Sequence, residues 1–161
     1  MEESDRKRIF LSPGEVVCAA EPTLITTVLG SCVAVTLWDS RRHIGAVNHF
    51  VLPPGKSPHD SARYGDLAMA ELLQGVEGLG AKAGDLRAKI FGGANVLSAA
   101  AQDSVGAANV RFALEELERR GIRVVARRVG GQRGRLLVFN TETGEALVRF
   151  VAETENLPSA P

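Results

Sequence analysis

Two apolar runs divided by a short polar loop constrain this chain most. Ser31 to Asp39 and Ile44 to Leu52 are each strand-length and rich in β-branched residues, and Asp39-Ser40-Arg41-Arg42 lies between Trp38 and His43. A four-residue connection is a common hairpin length. Neither run alternates with polar residues, so the pair suits strands covered on both faces. With Trp38 set opposite His43, counting back puts Cys32 opposite His49. Cys32, Ala34, Thr36, Val47 and His49 then share one face, and Val33, Val35, Leu37, Ile44 and Ala46 the other. A slip of one residue sends the thiol and the imidazole to opposite faces. The register permits their contact without guaranteeing it.

A cysteine beside a histidine has a definite chemistry. A free thiol titrates near pH ~8.5, and a neighbouring cationic imidazole lowers that value. The thiolate attacks, and the imidazole hands a proton to the leaving group. Gly30 has no side chain, so a substrate could approach its backbone closely. The amides near Ser31 and Cys32 are candidate oxyanion donors. The opposite reading is ordinary: cysteine is among the most buried residue types, and a strand cysteine is often inert core. Both readings stay open on these residues alone.

Gly14 to Ala20 and Thr23 to Val28 read as strands split by Glu21-Pro22. Asp60 or Ser61 is expected to cap a helix running to about Glu77, with Leu67, Met69, Ala70, Leu73 and Val76 on its apolar stripe. Leu86 to Phe91 reads as a strand ending in Gly92-Gly93-Ala94-Asn95, a tight turn expected to border the site. Ser104 is expected to cap a second helix, Val105 to about Arg120, stopped by Gly121. Ile122 to Arg128, Arg135 to Asn140 and Glu145 to Ala152 read as strands, the last two joined as a hairpin by Thr141 to Gly144. Residues 1–8 and 157–161 read as frayed ends. The pattern predicts one α+β domain over residues 1–161, with about eight largely antiparallel strands and two main helices.

Composition removes several function classes. Nineteen basic residues balance nineteen acidic ones, so no global field favours nucleic acid. Two cysteines, Cys18 and Cys32, make no disulfide scaffold, and a reducing cytoplasm is the simpler home. No run is long enough to enter a membrane. His43 and His59 lack partners at metal-ligand spacing. Arg127 to Arg135 is the one basic cluster, read as a solvated hairpin loop in preference to a docking surface. Tyr64 borders the site or simply packs, and Cys18 reads as structural.

Leu29-Gly30-Ser31-Cys32-Val33-Ala34-Val35, His49-Phe50-Val51-Leu52-Pro53, Tyr64-Gly65-Asp66-Leu67-Ala68-Met69, Ile90-Phe91-Gly92-Gly93-Ala94 and Gly130-Gly131-Gln132-Arg133-Gly134-Arg135 occur in order. Together they resemble the CheD family of chemoreceptor glutamine deamidases over residues 13–151. The resemblance implies hydrolysis of glutamine side chains to glutamate on receptor cytoplasmic helices, through a cysteine thioester and without metal or organic cofactor. It implies a Cys-His-Thr triad of Cys32, His49 and Thr26, the threonine lying six positions before the cysteine. Thr27 is adjacent, and only one of the two can face the imidazole. Gly30, Ser31, Gly92 and Gly93 are then the substrate-proximal backbone. Also implied are a layered β-sandwich similar to the catalytic domains of glutamine-deamidating toxins, and the phosphatase CheC as a possible partner. Ala108 departs from the family, which commonly has arginine before Asn109. A second kind of function is a non-catalytic module that docks on chemoreceptors or on a CheC-type phosphatase; it has no need of the cysteine, histidine and threonine.

Overall fold

The structure, a computed structural model, describes residues 6–55, 61–96 and 104–152. Nine strands and two α-helices occur among them: β1 Lys7–Phe10, β2 Val16–Ala19, β3 Thr23–Leu29, β4 Val33–Asp39, β5 Ile44–Asn48, α1 Gly65–Gly78, β6 Leu86–Gly92, α2 Val105–Arg119, β7 Arg123–Val129, β8 Arg135–Asn140 and β9 Ala146–Phe150. They form two mixed sheets, ordered β1-β3-β8-β9 and β2-β5-β4-β6-β7. Two pairings are parallel, β1 with β3 and β6 with β7, and the other five are antiparallel.

The layers follow from which faces are apolar. β4 lies inside the five-stranded sheet with six of its seven residues buried, as its unbroken apolar run requires. Val33, Val35, Leu37, Ile44 and Ala46 meet Met69, Leu72, Val76, Ala113 and Leu117 of the helices. Cys32, Ala34 and Val47 meet Ile25, Leu29, Leu137 and Phe139 of the four-stranded sheet. The stack is helices, five-stranded sheet, four-stranded sheet, and the sequence assigns the two faces of the β4–β5 pair correctly.

Four expectations change. The β4–β5 ladder pairs Trp38 with Gly45 and Asp39 with Ile44, and its continuation bridges Val33 to Phe50. The register therefore differs by two residues from the one that sets Trp38 opposite His43. Asp39 causes this: its carboxylate accepts from the Arg41 and Arg42 amides, so the turn closes one residue later. Residues 7 and 8 belong to a strand and are not frayed. β1 is a mostly exposed edge held by its ladder to β3, so it carries no apolar pattern to read. α1 begins at Gly65, with Tyr64 at its N-cap and no side-chain cap. Ser61 instead forms a turn with Arg63 and Tyr64, and Leu52 pairs with Tyr64 and holds that residue extended; Asp60 lies outside the described residues. Finally, β7 and β8 belong to different sheets, so Gly130 to Gly134 is a crossing and not a hairpin.

The later elements match their sequence signals. The Ser104 hydroxyl accepts from the Ala107 amide at 3.1 Å and caps α2. β8 and β9 form the expected hairpin.

Candidate active site

β3, β4 and β5 bring the thiol and the imidazole onto one face. Carrying the observed register along the chain puts Cys32 opposite Val51, and His49 opposite Ala34. A shift of two residues preserves the face, so Cys32 and His49 are diagonal neighbours and not the directly opposed pair the loop count suggests. Both are buried, Cys32 wholly and His49 to within 1 %.

Thr27, not Thr26, meets the histidine. Thr27 Oγ1 lies 2.7 Å from His49 Nδ1 and donates its proton to the Leu11 carbonyl, also at 2.7 Å. A hydroxyl has one proton, so its lone pair is what faces the ring. Nδ1 therefore carries the hydrogen and Nε2 is left with a lone pair. Nε2 is buried, without a hydrogen-bond partner among the described residues. Thr26 lies on the outer side of its sheet, half-buried, between Phe10 and Val138. Alternation along β3 allows only one threonine inward, and the two-sheet packing selects Thr27.

Burial keeps both reactive groups neutral at rest. It pushes the Cys32 thiol up to about 12, opposed by the Arg63 charge. It pulls His49 down to about 4, with Arg63 acting in the same direction and the Leu11 carbonyl and Glu15 opposing. The resting state is thus a neutral thiol and a neutral imidazole on one face, not hydrogen-bonded to each other, with a lone pair on Nε2 that can accept a proton. That differs from the thiolate–imidazolium pair of strongly acidic cysteines.

The loops around Cys32 are laced backbone to backbone. Gly93 N–H donates to the Cys32 carbonyl at 2.8 Å, and Ala94 N–H to the Gly30 carbonyl at 2.9 Å. Gly92 and Gly93 have φ of 102° and 67°, values that favour glycine, and a β-carbon on Gly92 would stand 2.2 Å from the Cys32 oxygen. These two glycines lie against the cysteine and hold its loop. Gly30 differs: among the described residues a β-carbon there would meet nothing within 4 Å, so space opens above it. Ser31 is half-buried, and its carbonyl accepts from Asn109.

Sequence reasoning missed two residues. Arg63 is exposed, its stem lies over Gly14, and Gly14 N–H donates to the His49 carbonyl. Its carbonyl accepts from the amides of Val51 and Leu52, which ties it to the end of the histidine strand. Asn109 is buried on α2 among Gly106, Ala113 and Leu117. A polar residue inside a helical stripe of small and apolar ones was the available signal. The remaining candidates lie elsewhere. His43 contacts the Glu142 carbonyl at the surface, and His59 is outside the described residues. The Cys18 thiol donates to the Leu72 carbonyl, a packing role. The basic cluster divides, because Arg135 is buried against the Gly130 carbonyl and the Phe150 ring. Ala108 is half-buried on the same helix as Asn109. Among the described residues no group of three or more His, Cys, Asp or Glu could hold a metal ion, and no helix is long and apolar enough to cross a membrane.

Comparison with known proteins gives the family. A family model described as CheD chemotactic sensory transduction matches residues 51–150. A Rhodospirillum rubrum protein named probable chemoreceptor glutamine deamidase CheD is 50 % identical over 143 residues, 88 % of this chain and 81 % of its own length. A probable chemoreceptor glutamine deamidase CheD 1 of Anaeromyxobacter dehalogenans is 45 % identical over 89 % of this chain and 85 % of its own. A Trichlorobacter lovleyi protein with the same CheD name is 45 % identical over 88 % of this chain and 89 % of its own. The family match covers more than half of the sequence and the relatives cover most of it: the chain belongs to the CheD family.

Proposed function

We propose that this chain, as a single domain, hydrolyses glutamine side chains of chemoreceptors to glutamate, with Cys32 as nucleophile, His49 as acid and base, and Thr27 as the group that orients the ring. The observation that carries the chemistry is the contact of Thr27 with His49. The hydroxyl lies against Nδ1 and donates to Leu11, which puts the ring proton on Nδ1 and leaves the Nε2 lone pair without a partner among the described residues, on the face that bears Cys32.

The steps balance without a cofactor. Nε2 takes the Cys32 proton as sulfur bonds to the carboxamide carbon, and the carbonyl electrons move to oxygen. Backbone amides near Ser31 and Cys32 stabilise that oxyanion. The imidazolium then protonates the nitrogen, the C–N bond breaks, and ammonia leaves. Water attacks the thioester with Nε2 as base, which releases glutamate and restores the thiol. A threonine hydroxyl carries no charge, so it steadies the imidazolium less than a carboxylate would. Burial favours the neutral resting pair, and proton transfer is coupled to substrate arrival. A carboxamide must displace whatever covers Sγ, and the open space above Gly30 is the side from which we expect it.

The relatives are named as chemoreceptor glutamine deamidases; the surface we assign as substrate is the receptors' cytoplasmic helices, which would set the work in the cytoplasm. CheC remains a candidate partner, and kinship with glutamine-deamidating toxin domains a candidate origin for the layered sandwich. The test is incubation with receptor cytoplasmic fragments, following ammonia release and Gln-to-Glu conversion by mass spectrometry. Conversion by the wild type and none by Cys32→Ala is expected. Conversion that persists in Cys32→Ala refutes the nucleophile. Tight binding without conversion by either protein refutes the enzyme and leaves the docking module.

A further inference from the structure

Asn109 reaches from α2 into the backbone around the nucleophile. Its Nδ2 donates to two carbonyls, Ser31 at 3.0 Å and Val51 at 2.9 Å, and its side chain is wholly buried. One amide thus ties the residue before Cys32 to the segment that follows His49. The Ser31 carbonyl and the Cys32 N–H belong to the same trans peptide and point in opposite directions. Holding the carbonyl toward α2 turns the N–H away from it. That N–H makes no backbone hydrogen bond among the described residues, although Cys32's own carbonyl and the amide of Val33 are both paired. The Cys32 N–H is thus a backbone donor without a backbone acceptor among the described residues, in a stretch that pairs its neighbours.

We propose that Asn109 is a positioning residue that aims the Cys32 N–H at the oxyanion formed when Cys32 attacks. This rests on Cys32 being the nucleophile. α2 is placed for the task. Its Gly106 lies so close to the Gly93–Ala94 backbone that a β-carbon there would stand 2.5 Å from both the Gly93 and Ala94 oxygens. The helix therefore sits directly against the loop that laces Cys32, and Asn109 lies one turn further along the same buried stripe. Aspartate in its place has no donor for two carbonyls. Leucine has the amide's shape and no donor at all.

The test separates two reactions of one sulfur in a Cys18→Ala background. Alkylation by iodoacetamide is displacement at a saturated carbon and forms no oxyanion. Acylation by p-nitrophenyl acetate passes through one. Loss of an oxyanion donor typically costs about 100- to 1,000-fold, so a misaimed one in Asn109→Leu is expected to slow acylation about thirtyfold or more. Alkylation stays within about threefold, because the thiol itself is not altered. Asn109→Gln, which keeps the donors, recovers part of the acylation rate. If the leucine variant does not fold, Asn109→Ser, with a single shorter donor, is read in the same two assays and shows the same selective loss. Acylation and alkylation that fall together, or an acylation rate that does not change, overturns the proposal. Selective loss of acylation in a protein that converts no receptor glutamine upholds the role of Asn109 and defeats the deamidase reading instead.

Discussion

At the scale of single residues the site depends on where three polar atoms point. Thr26 and Thr27 differ only in which side of β3 they occupy, and no count along the chain separates them. The packing of two sheets decides, by turning Thr27 toward His49 and Thr26 outward. Thr27→Val should lower kcat about tenfold or more, while Thr26→Val stays within about twofold, measured as Gln-to-Glu conversion at saturating substrate. The depressed His49 titration makes a stability prediction. Below an ordinary value of 6.5 the unfolded chain gains a proton that the folded ring refuses until about pH 4. The contribution of the neutral buried ring is therefore present above pH 6.5 and is lost as pH falls toward 4. Urea denaturation at pH 7 and pH 5 should show a larger loss for the wild type than for His49→Gln. Arg63 opposes the burial that raises the Cys32 thiol. Arg63→Gln should move the pH dependence of Cys32 alkylation further up, and Arg63→Lys should restore it; added salt should blunt the difference, because Arg63 is exposed.

Elements set the distances that residues cannot. The β4–β5 pair was legible as two strands covered on both faces, and its face assignment holds because the register differs by two residues and not by one. The turn was not legible, since the Asp39 carboxylate closes it with local hydrogen bonds that a loop count ignores. α2 was read to its cap because Ser104 is a strong local signal. Ser104→Ala should destabilise the protein by about 1 kcal/mol in denaturant titrations, with no change in the thiol's reactivity. α1 was misplaced at its start, because the pairing of Leu52 with Tyr64 overrides the polar residues before it. Gly30 gives the element-scale test of access. Its β-carbon position is open, so Gly30→Val should fold with unchanged stability and raise KM for receptor fragments several-fold. Unchanged KM with full turnover would put the substrate's entry elsewhere.

Across the whole molecule, one sheet serves two cores. Its helix side is filled by aliphatic residues from α1 and α2, and its other side carries Cys32 and His49 against the four-stranded sheet. The class and the layers were legible, because near-continuous apolar strands need cover on both faces. The edge strand β1 was not, because its ladder to β3 uses backbone groups and leaves little trace in side chains. Nor was the part played by Asn109, which joins segments far apart in sequence. On the proposed mechanism the same layering explains an unreactive resting state: a thiol buried between two sheets is protected until substrate reaches it.

The account stands or falls on whether that buried sulfur carries the reaction. The most direct measurement titrates the protein with iodoacetamide, maps the label between Cys32 and Cys18 by peptide mass spectrometry, and assays receptor-glutamine conversion on the same samples. Activity should fall in direct proportion to the labelled fraction of Cys32 and be indifferent to Cys18. Full activity in protein whose Cys32 is completely labelled would contradict the account.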